Sequence, residues 1–269
     1  MNREALITLI RRKKSMLCVG LDTDPNKIPD VLKSDPDPVF SFNKAIIDAT
    51  LDVAVAYKPN IAFYEALGLA GWQSLERTMA YLNERRSQAF LIADAKRGDI
   101  GNTAQMYARA FFQQLPFDAI TVAPYMGVDS IKPFLTFKEK WAIVLALTSN
   151  EGATNFQMLR TANGLLFEQV INQSVSWGST ENMMFVAGAT RPEGLRQIRM
   201  LVPEHFLLVP GAGAQGGDIA SICHAAATSW GGLLINSSRQ IIYASNGADF
   251  AEKAREAAIQ AQAQMCFPD

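Results

Sequence analysis

Several features that mark other classes of protein are scarce in this chain of 269 residues. No apolar run approaches the roughly 20 residues that a transmembrane helix needs, so we expect no membrane partner. The three cysteines, Cys18, Cys223 and Cys266, form no CxxC pair, which favours free thiols in a reducing cytoplasm over a disulfide framework. Lysine and arginine number 25 against 26 aspartates and glutamates, with no long run of one sign. A nucleic-acid partner, which requires a basic stripe, is therefore not expected.

Histidine is scarcer still, since His205 and His224 are the only two. That leaves little material for a His-rich metal site or a Ser-His-Asp triad. His224 falls in a helical stretch and His205 directly before a predicted strand, so we interpret both as structural.

Short apolar runs alternate with helical stretches eight times along the chain. The predicted strands are Leu17–Asp22, Val53–Pro59, Phe90–Lys96, Ala119–Pro124, Ala142–Ser149, Met183–Ala189, Phe206–Pro210 and Leu233–Asn236. Stretches such as Phe63–Ser87 and Thr103–Leu115 carry apolar residues at helical spacing. The strand starts lie about 31 residues apart, the repeat of a (β/α)8 barrel of about 250 residues. We therefore predict an α/β fold, one (β/α)8 TIM-barrel domain over residues 1–269, in preference to a doubly wound open sheet.

Charged side chains stand where the predicted strands end, which is where barrels of this kind carry their functional groups. Asp94 and Lys96 end the third strand, and because side chains alternate along a strand both should point the same way. Asp99 follows in the loop, Lys58 ends the second strand and Asp22 the first. A plain ion-pair network is the alternative, but gathering partly buried charges costs free energy, which favours a functional site. Such an array would keep every member ionised and suits loss of an anionic group from carbon followed by protonation.

A glycine-rich turn follows the seventh strand, in the segment Pro210-Gly211-Ala212-Gly213-Ala214-Gln215-Gly216. Glycines let backbone N–H groups approach an anion, and the helix predicted from Asp218 adds its N-terminal partial charge. Arg239 follows the eighth strand, and barrels commonly bind phosphate in these two loops. We predict a phosphate site here, with a purely structural turn as the alternative.

Hydroxyl groups follow the fourth and fifth strands, at Thr121 and at Thr148-Ser149. They could read the edge of a heterocycle by hydrogen bonds. Capping of the next helix is an equally good interpretation of each residue taken alone.

These residues together resemble those of the orotidine 5′-phosphate decarboxylase family. The segment DAKRGDIGNT, which holds Asp94, Lys96, Asp99 and Thr103, matches the family signature D-x-K-x-x-D-[small]-x-x-T. Similarity extends through Gly20-Leu21-Asp22 and Tyr57-Lys58-Pro59-Asn60, and the length is similar to that of the longer bacterial (type 2) branch. The resemblance implies decarboxylation of orotidine 5′-monophosphate to UMP in de novo pyrimidine synthesis, with no metal and no organic cofactor.

The resemblance also implies roles for the charged residues. Lys96 would protonate C6 of the carbanionic intermediate, and Asp94 would lie against the leaving carboxylate, with Lys58 ordering the array. Asp99 and Thr103 would reach into the neighbouring subunit's site, which implies a homodimer with shared active sites.

The remaining implied contacts are with the substrate. Asp22 and Lys58 would contact the ribose hydroxyls and Ser149 the pyrimidine edge. The phosphate would lie against Gln215, Arg239 and the turn around Pro210 and Gly216.

Two other functions remain open on sequence grounds. A metal-dependent sugar-phosphate decarboxylase or aldolase of the same barrel type would use a carboxylate on strand two or three as a Mg²⁺ ligand. Strand two ends in Lys58 instead, which favours the nucleotide substrate. A non-catalytic phosphate-ligand-binding protein would not need the full set of charges at the strand ends.

Overall fold

Eight parallel strands and the helices between them form a closed barrel. The computed structural model describes residues 1–188, 192–211 and 218–267. The barrel strands are β1 (Leu17–Leu21), β2 (Ala56–Pro59), β3 (Phe90–Arg97), β4 (Ala119–Val122), β5 (Trp141–Leu147), β8 (Met183–Ala187), β9 (Phe206–Pro210) and β10 (Leu233–Ser237), with a short antiparallel hairpin of β6 (Arg160–Thr161) and β7 (Gly164–Leu165) after β5. The strand order is β1-β10-β9-β8-β5-β4-β3-β2. The predicted (β/α)8 barrel is confirmed.

Helices connect the strands along the outside of the barrel. They are α1 (Arg3–Lys13), α2 (Pro38–Thr50), α3 (Ile61–Glu65), α4 (Gly68–Asn83), α5 (Gly101–Arg109), α6 (Lys132–Leu135), α7 (Leu166–Val175), α8 (Pro192–Leu201), α9 (Ile219–Ala226), α10 (Arg239–Ile242) and α11 (Phe250–Ala263). A π-helical turn, Ala110–Gln114, extends α5. Within the described ranges, no helix has both the length and the apolar character needed to cross a bilayer.

Element boundaries differ from the predictions where local backbone geometry decides them. The predicted helix Phe63–Ser87 is divided into α3 and α4 at Gly68, whose φ of +61° is incompatible with a continuous right-handed helix. The second strand begins at Ala56, three residues later than predicted. Before it, the amides of Val53 and Ala54 still donate to the Thr50 carbonyl in a closing helical turn.

Aromatic side chains fill the amino-terminal end of the barrel. Phe90, Trp141 and Phe206 begin the third, fifth and seventh barrel strands and are fully buried. Their rings meet edge to face, with centroids 6.1 Å apart for Phe90 and Trp141 and 6.2 Å apart for Trp141 and Phe206. Contact between alternate strands means that these rings point inward as one layer of the core. The opposite, carboxyl end of the barrel is where the charged side chains lie.

Both histidines were predicted to be structural, and the geometry of His205 agrees. Its ring lies 5.5 Å from the Phe185 ring, the residue is 6 % exposed, and its buried Nε2 has no hydrogen-bond partner in the part of the chain that the structure describes. Burial, together with the positive charges of Arg199 and Arg3, lowers the pKa of His205 to about 4. The folded protein therefore holds this imidazole neutral.

The buried histidine predicts how stability depends on pH. The unfolded chain binds a proton at His205 near pH 6.5 whereas the folded chain does not, so its contribution is complete above pH 6.5 and is lost as the pH falls towards 4. We expect the free energy of unfolding to drop by about 2 to 3 kcal/mol from this group. Urea unfolding at a series of pH values should show a shallower acid loss in His205→Gln. The exposed His224→Gln is the matched control, and equal slopes in all three proteins would contradict the prediction.

Candidate active site

A buried carboxylate between two ammonium groups forms the centre of the carboxyl end of the barrel. Asp94 Oδ2 lies 2.6 Å from Nζ of Lys58, and Asp94 Oδ1 contacts Nζ of Lys96. The side chains of Asp94 and Lys58 are 11 % and 4 % exposed, whereas that of Lys96 is 52 % exposed. One ammonium group is therefore enclosed with the carboxylate, and the other stands at the open mouth of the barrel. The structure thus brings together three of the four predicted catalytic residues.

The electrostatics of this array keep it ionised. Burial disfavours the charged form of Asp94, but the positive charges of Lys58 and Lys96 outweigh that penalty, so the pKa of Asp94 lies far below its usual range. Burial likewise disfavours the Lys58 ammonium, and the charges of Asp94 and Asp22 more than offset this and raise the pKa of Lys58. Asp94 and the enclosed Lys58 therefore both remain charged at neutral pH.

Strand β3 is irregular where it carries Asp94 and Lys96. The register between β3 and β4 shifts between Ala93 and Arg97, and Lys96 has a left-handed backbone with φ of +47°. Asp94 and Lys96 both lie within this irregularity, between the paired residues Ala93 and Arg97. The two side chains meet on one side, as their spacing of two residues predicts, on a strand that bulges at this point.

Asp22 lies at the end of β1 on the other side of Lys58. Its Oδ1 is buried and has no hydrogen-bond partner among the described residues, while its negative charge acts on Lys58. The loop that carries it is held by Tyr243, whose Oη donates to the Asp22 carbonyl at 3.1 Å and accepts from the Asp24 amide at 2.7 Å. Sequence reasoning missed Tyr243 as a part of the site. Tyr243 lies only four residues after Arg239, and this short distance along the chain could have indicated that it is close to the site.

The structure does not bring Asp99 and Thr103 to the array of their own chain. Asp99 Oδ1 accepts a hydrogen bond from the Ile100 amide at 2.7 Å, and within the described ranges the carboxylate has no ion pair. Thr103 lies exposed in the first turn of α5. Large apolar side chains nearby are also exposed, with Ile100 at 52 % and Tyr125 at 92 %. Asp99 and Thr103 therefore belong to an outward, partly apolar face.

Ser149 lines a separate hollow beside the barrel mouth. A cavity of about 270 Å³ lies between the end of β5, α7 and α8, and Ser149, Gly188 and Gln197 are among the residues that line it. Gly188 leaves no room for a side chain, because a Cβ there would lie 2.8 Å from the Ser149 amide nitrogen. The loop after β5 is thus packed closely against the end of β8.

The predicted phosphate residues are described only in part. Pro210 ends β9, whereas Gln215 and Gly216 lie outside the described residues. Arg239 begins α10 directly after β10, and its exposed guanidinium has no ion-pair partner in the part of the chain that the structure describes. Gly20 lets this turn approach β1, since a Cβ there would lie 1.9 Å from Ser238 Oγ. Arg239 is therefore beside the mouth with its charge free for an anion.

The described residues around the array include no cluster of metal ligands. Across residues 1–188, 192–211 and 218–267, no three His, Cys, Asp or Glu side chains are grouped so that they could hold a metal ion. Both oxygens of Asp94 face ammonium groups. The donor set is therefore that of a charge array and not that of a Mg²⁺ site.

Comparison with known proteins gives the family. A profile of the orotidine 5′-phosphate decarboxylase / HUMPS family matches residues 15–254. The orotidine 5′-phosphate decarboxylase of Christiangramia forsetii is 58 % identical over 265 residues, which cover 98 % of this chain and 97 % of that protein. The Bacteroides fragilis enzyme of the same name is 56 % identical over 266 residues, with coverage of 98 % and 97 %.

Solved structures agree with the sequence relatives. A putative orotidine-monophosphate decarboxylase from Toxoplasma gondii superposes with a TM-score of 0.84 at 34 % identity, covering 97 % of this chain and 95 % of that one. A putative orotidine 5′-phosphate decarboxylase from Streptomyces avermitilis superposes with a TM-score of 0.77 at 28 % identity, with coverage of 97 % and 93 %. The named relatives favour the nucleotide enzymes over the sugar-phosphate enzymes that share the barrel. The chain belongs to the orotidine 5′-phosphate decarboxylase family.

Proposed function

We propose that the chain decarboxylates orotidine 5′-monophosphate to UMP, the last step of de novo pyrimidine synthesis, and that Lys96 delivers the proton to C6. The observation that carries this proposal is the ionised Asp94 held between the buried Lys58 and the accessible Lys96. A fixed negative charge beside a fixed proton donor suits the replacement of a carboxylate by hydrogen at one carbon. The named relatives support the substrate.

The reaction balances without any group beyond this array. The bond between C6 and the carboxylate carbon breaks, carbon dioxide leaves, and the electron pair stays on C6. An N–H proton of the Lys96 ammonium then forms the new C–H bond. Because the Lys96 side chain is half exposed, solvent can return a proton to its nitrogen after product release. Asp94, with its pKa far below the usual range, stays anionic beside the leaving carboxylate throughout.

We assign the substrate contacts to polar groups at the carboxyl end of the barrel. The unpartnered Asp22 Oδ1 is an acceptor for a ribose hydroxyl, and the Lys58 ammonium has further N–H donors beside it. Arg239 binds the phosphate together with the segment that holds Pro210, Gln215 and Gly216, and the support is that the exposed Arg239 has no ion-pair partner among the described residues. Ser149 reads the pyrimidine edge.

We also propose a homodimer in which Asp99 and Thr103 complete the partner's site. The support is that, among the described residues, Asp99 bonds only to the Ile100 amide and Thr103 is exposed, while large apolar residues such as Ile100 and Tyr125 are exposed as well. Burial of such residues against a second copy would carry the two polar side chains towards that copy's barrel mouth.

Each copy of residues 1–269 acts as one catalytic domain, in a reducing cytoplasm that suits its three free cysteines.

Loss of the proton donor should abolish turnover without unfolding the protein. Lys96→Ala is expected to lower kcat by about 10³-fold or more, because no other described ammonium group stands at the open side of Asp94. The loss of orotate absorbance measures the reaction, with a chelator present to test the metal-dependent alternative. Lys14→Ala is the matched control, since Lys14 also has a left-handed backbone, with φ of 48°, but lies at the end of α1. Near-normal turnover in Lys96→Ala would refute the assignment.

Loss of the phosphate arginine should affect binding of the phosphorylated substrate. Arg239→Ala is expected to raise KM for orotidine 5′-monophosphate by about 10- to 100-fold, the worth of a charge-assisted contact. The low activity on orotidine, which lacks the phosphate, should change little. Arg11→Ala, an exposed arginine on α1, controls for loss of charge. Equal effects on both substrates would move the phosphate site elsewhere.

Shared active sites predict complementation between two inactive variants. A heterodimer of Lys96→Ala and Asp99→Ala has both lesions in one site and none in the other, so co-refolded mixtures should recover up to about one quarter of wild-type activity. A mixture of Lys96→Ala with Asp94→Ala is the control, because each of its sites keeps one lesion. If the first mixture were no more active than the second, sharing of sites would be wrong.

A further inference from the structure

Thr121 contacts both halves of the ion pair from the neighbouring strand. Its side chain, on β4, is buried. Thr121 Oγ1 accepts a hydrogen bond from the Lys96 backbone amide at 2.9 Å and donates to Asp94 Oδ1 at 3.2 Å. The sequence prediction allowed this hydroxyl to read a heterocycle. In the structure, this hydroxyl is instead hydrogen-bonded to Lys96 and Asp94 of the array.

The strand pairing explains why this hydroxyl stands where it does. On β3, Ala93 pairs with Ile120 and Arg97 pairs with Val122. The three residues at 94–96 therefore lie opposite Thr121 alone. A bulge of this kind takes backbone amides out of the regular ladder, and a buried amide without a partner is costly. The Thr121 side chain gives the Lys96 amide its acceptor.

The chemistry of a hydroxyl group fixes the direction of its proton. Thr121 Oγ1 uses a lone pair to accept from the Lys96 amide, so its single O–H remains to be donated. Asp94 Oδ1 at 3.2 Å is a charged acceptor, and the Ala93 carbonyl at 3.5 Å is a more distant neutral one. The charged acceptor forms the stronger bond. Oδ1 is also the oxygen that contacts the Lys96 ammonium.

The hydrogen bond from the Lys96 amide to Thr121 matters because Lys96 has a left-handed backbone conformation. A non-glycine residue with φ of +47° is disfavoured relative to the right-handed regions, because its Cβ crowds the backbone. Such a conformation persists only where its surroundings hold it. The bond from the Lys96 amide to Thr121 acts directly at this backbone position.

We propose that Thr121 is a positioning residue for decarboxylation, which holds the Lys96 backbone and the Asp94 carboxylate in register for proton delivery. This inference rests on the proposed function. Thr121 itself touches neither the reacting carbon nor the phosphate in this scheme. Its loss should therefore impair the chemical step and leave the affinity for the nucleotide nearly unchanged.

A small set of variants tests the role. Thr121→Val, which keeps the shape and removes the hydroxyl, is expected to lower kcat about 10- to 100-fold with KM changed less than about threefold. Thr121→Ser restores the hydroxyl and should return kcat to within about threefold of wild type. Thr50→Val is the matched control, because Thr50 is equally buried and its hydroxyl makes two hydrogen bonds, to Ile46 and Tyr57, away from the array. That control should lose stability but keep kcat.

The outcomes separate the inference from the proposed function. If the wild-type protein does not decarboxylate orotidine 5′-monophosphate, the proposed function fails. If it does and Thr121→Val matches it, or if Thr121→Ser is as impaired as Thr121→Val, the positioning role is wrong. A crystal structure of Thr121→Val gives a readout independent of activity, since Lys96 should leave the left-handed region. Thr121→Ala, which cannot overcrowd the strand, replaces the valine variant if that one does not fold.

Discussion

The ion pairs of Asp94 are the interaction on which the rest of the active end depends. A charged carboxylate with so little exposure would strongly destabilise the fold if it had no partner. Its two ammonium partners come from different strands, Lys58 from β2 and Lys96 from the bulge in β3. Lys58 reaches it only if β2 and β3 pair in one register, as Ala56 with Phe90. A slip of one residue would turn Lys58 out of the barrel and leave the carboxylate half paired.

The two lysines differ in exposure to solvent, and this difference suits them to different roles. Lys58 is enclosed, and its charge is fixed by Asp94 and Asp22 together. It can hold the carboxylate but has little access to exchange protons with solvent. Lys96 shares the same carboxylate from the open side, where it can give up a proton and regain one. In the proposed reaction, Lys58 is thus the permanent counter-ion and Lys96 the acid that solvent can reprotonate, and a chain with the two exposures reversed would not support that cycle.

The sequence was sufficient to predict the barrel and much of the site, for identifiable physical reasons. Strands buried on both faces are continuous apolar runs, so β1, β8 and β10 were found from composition, and Asp22, Lys58 and Asp94 followed from their places at strand ends. The contact between Lys96 and Thr121 was not predictable. It depends on a bulge whose register arises between strands, and no spacing along one strand encodes it. The direction of Asp99 also depends on loop geometry.

The strain at Lys96 shows how the fold and the proposed chemistry are coupled. A regular β3 would be more stable locally, yet it would end its ladder without the bulge that delivers the ammonium to Asp94. The compensation lies on β4, where a single hydroxyl satisfies the displaced amide and the carboxylate at once. Because β4 is itself paired on both sides, to β3 and β5, that hydroxyl is anchored by the barrel as a whole. The rigidity of the closed sheet is therefore what allows a strained donor to be held in place before substrate arrives.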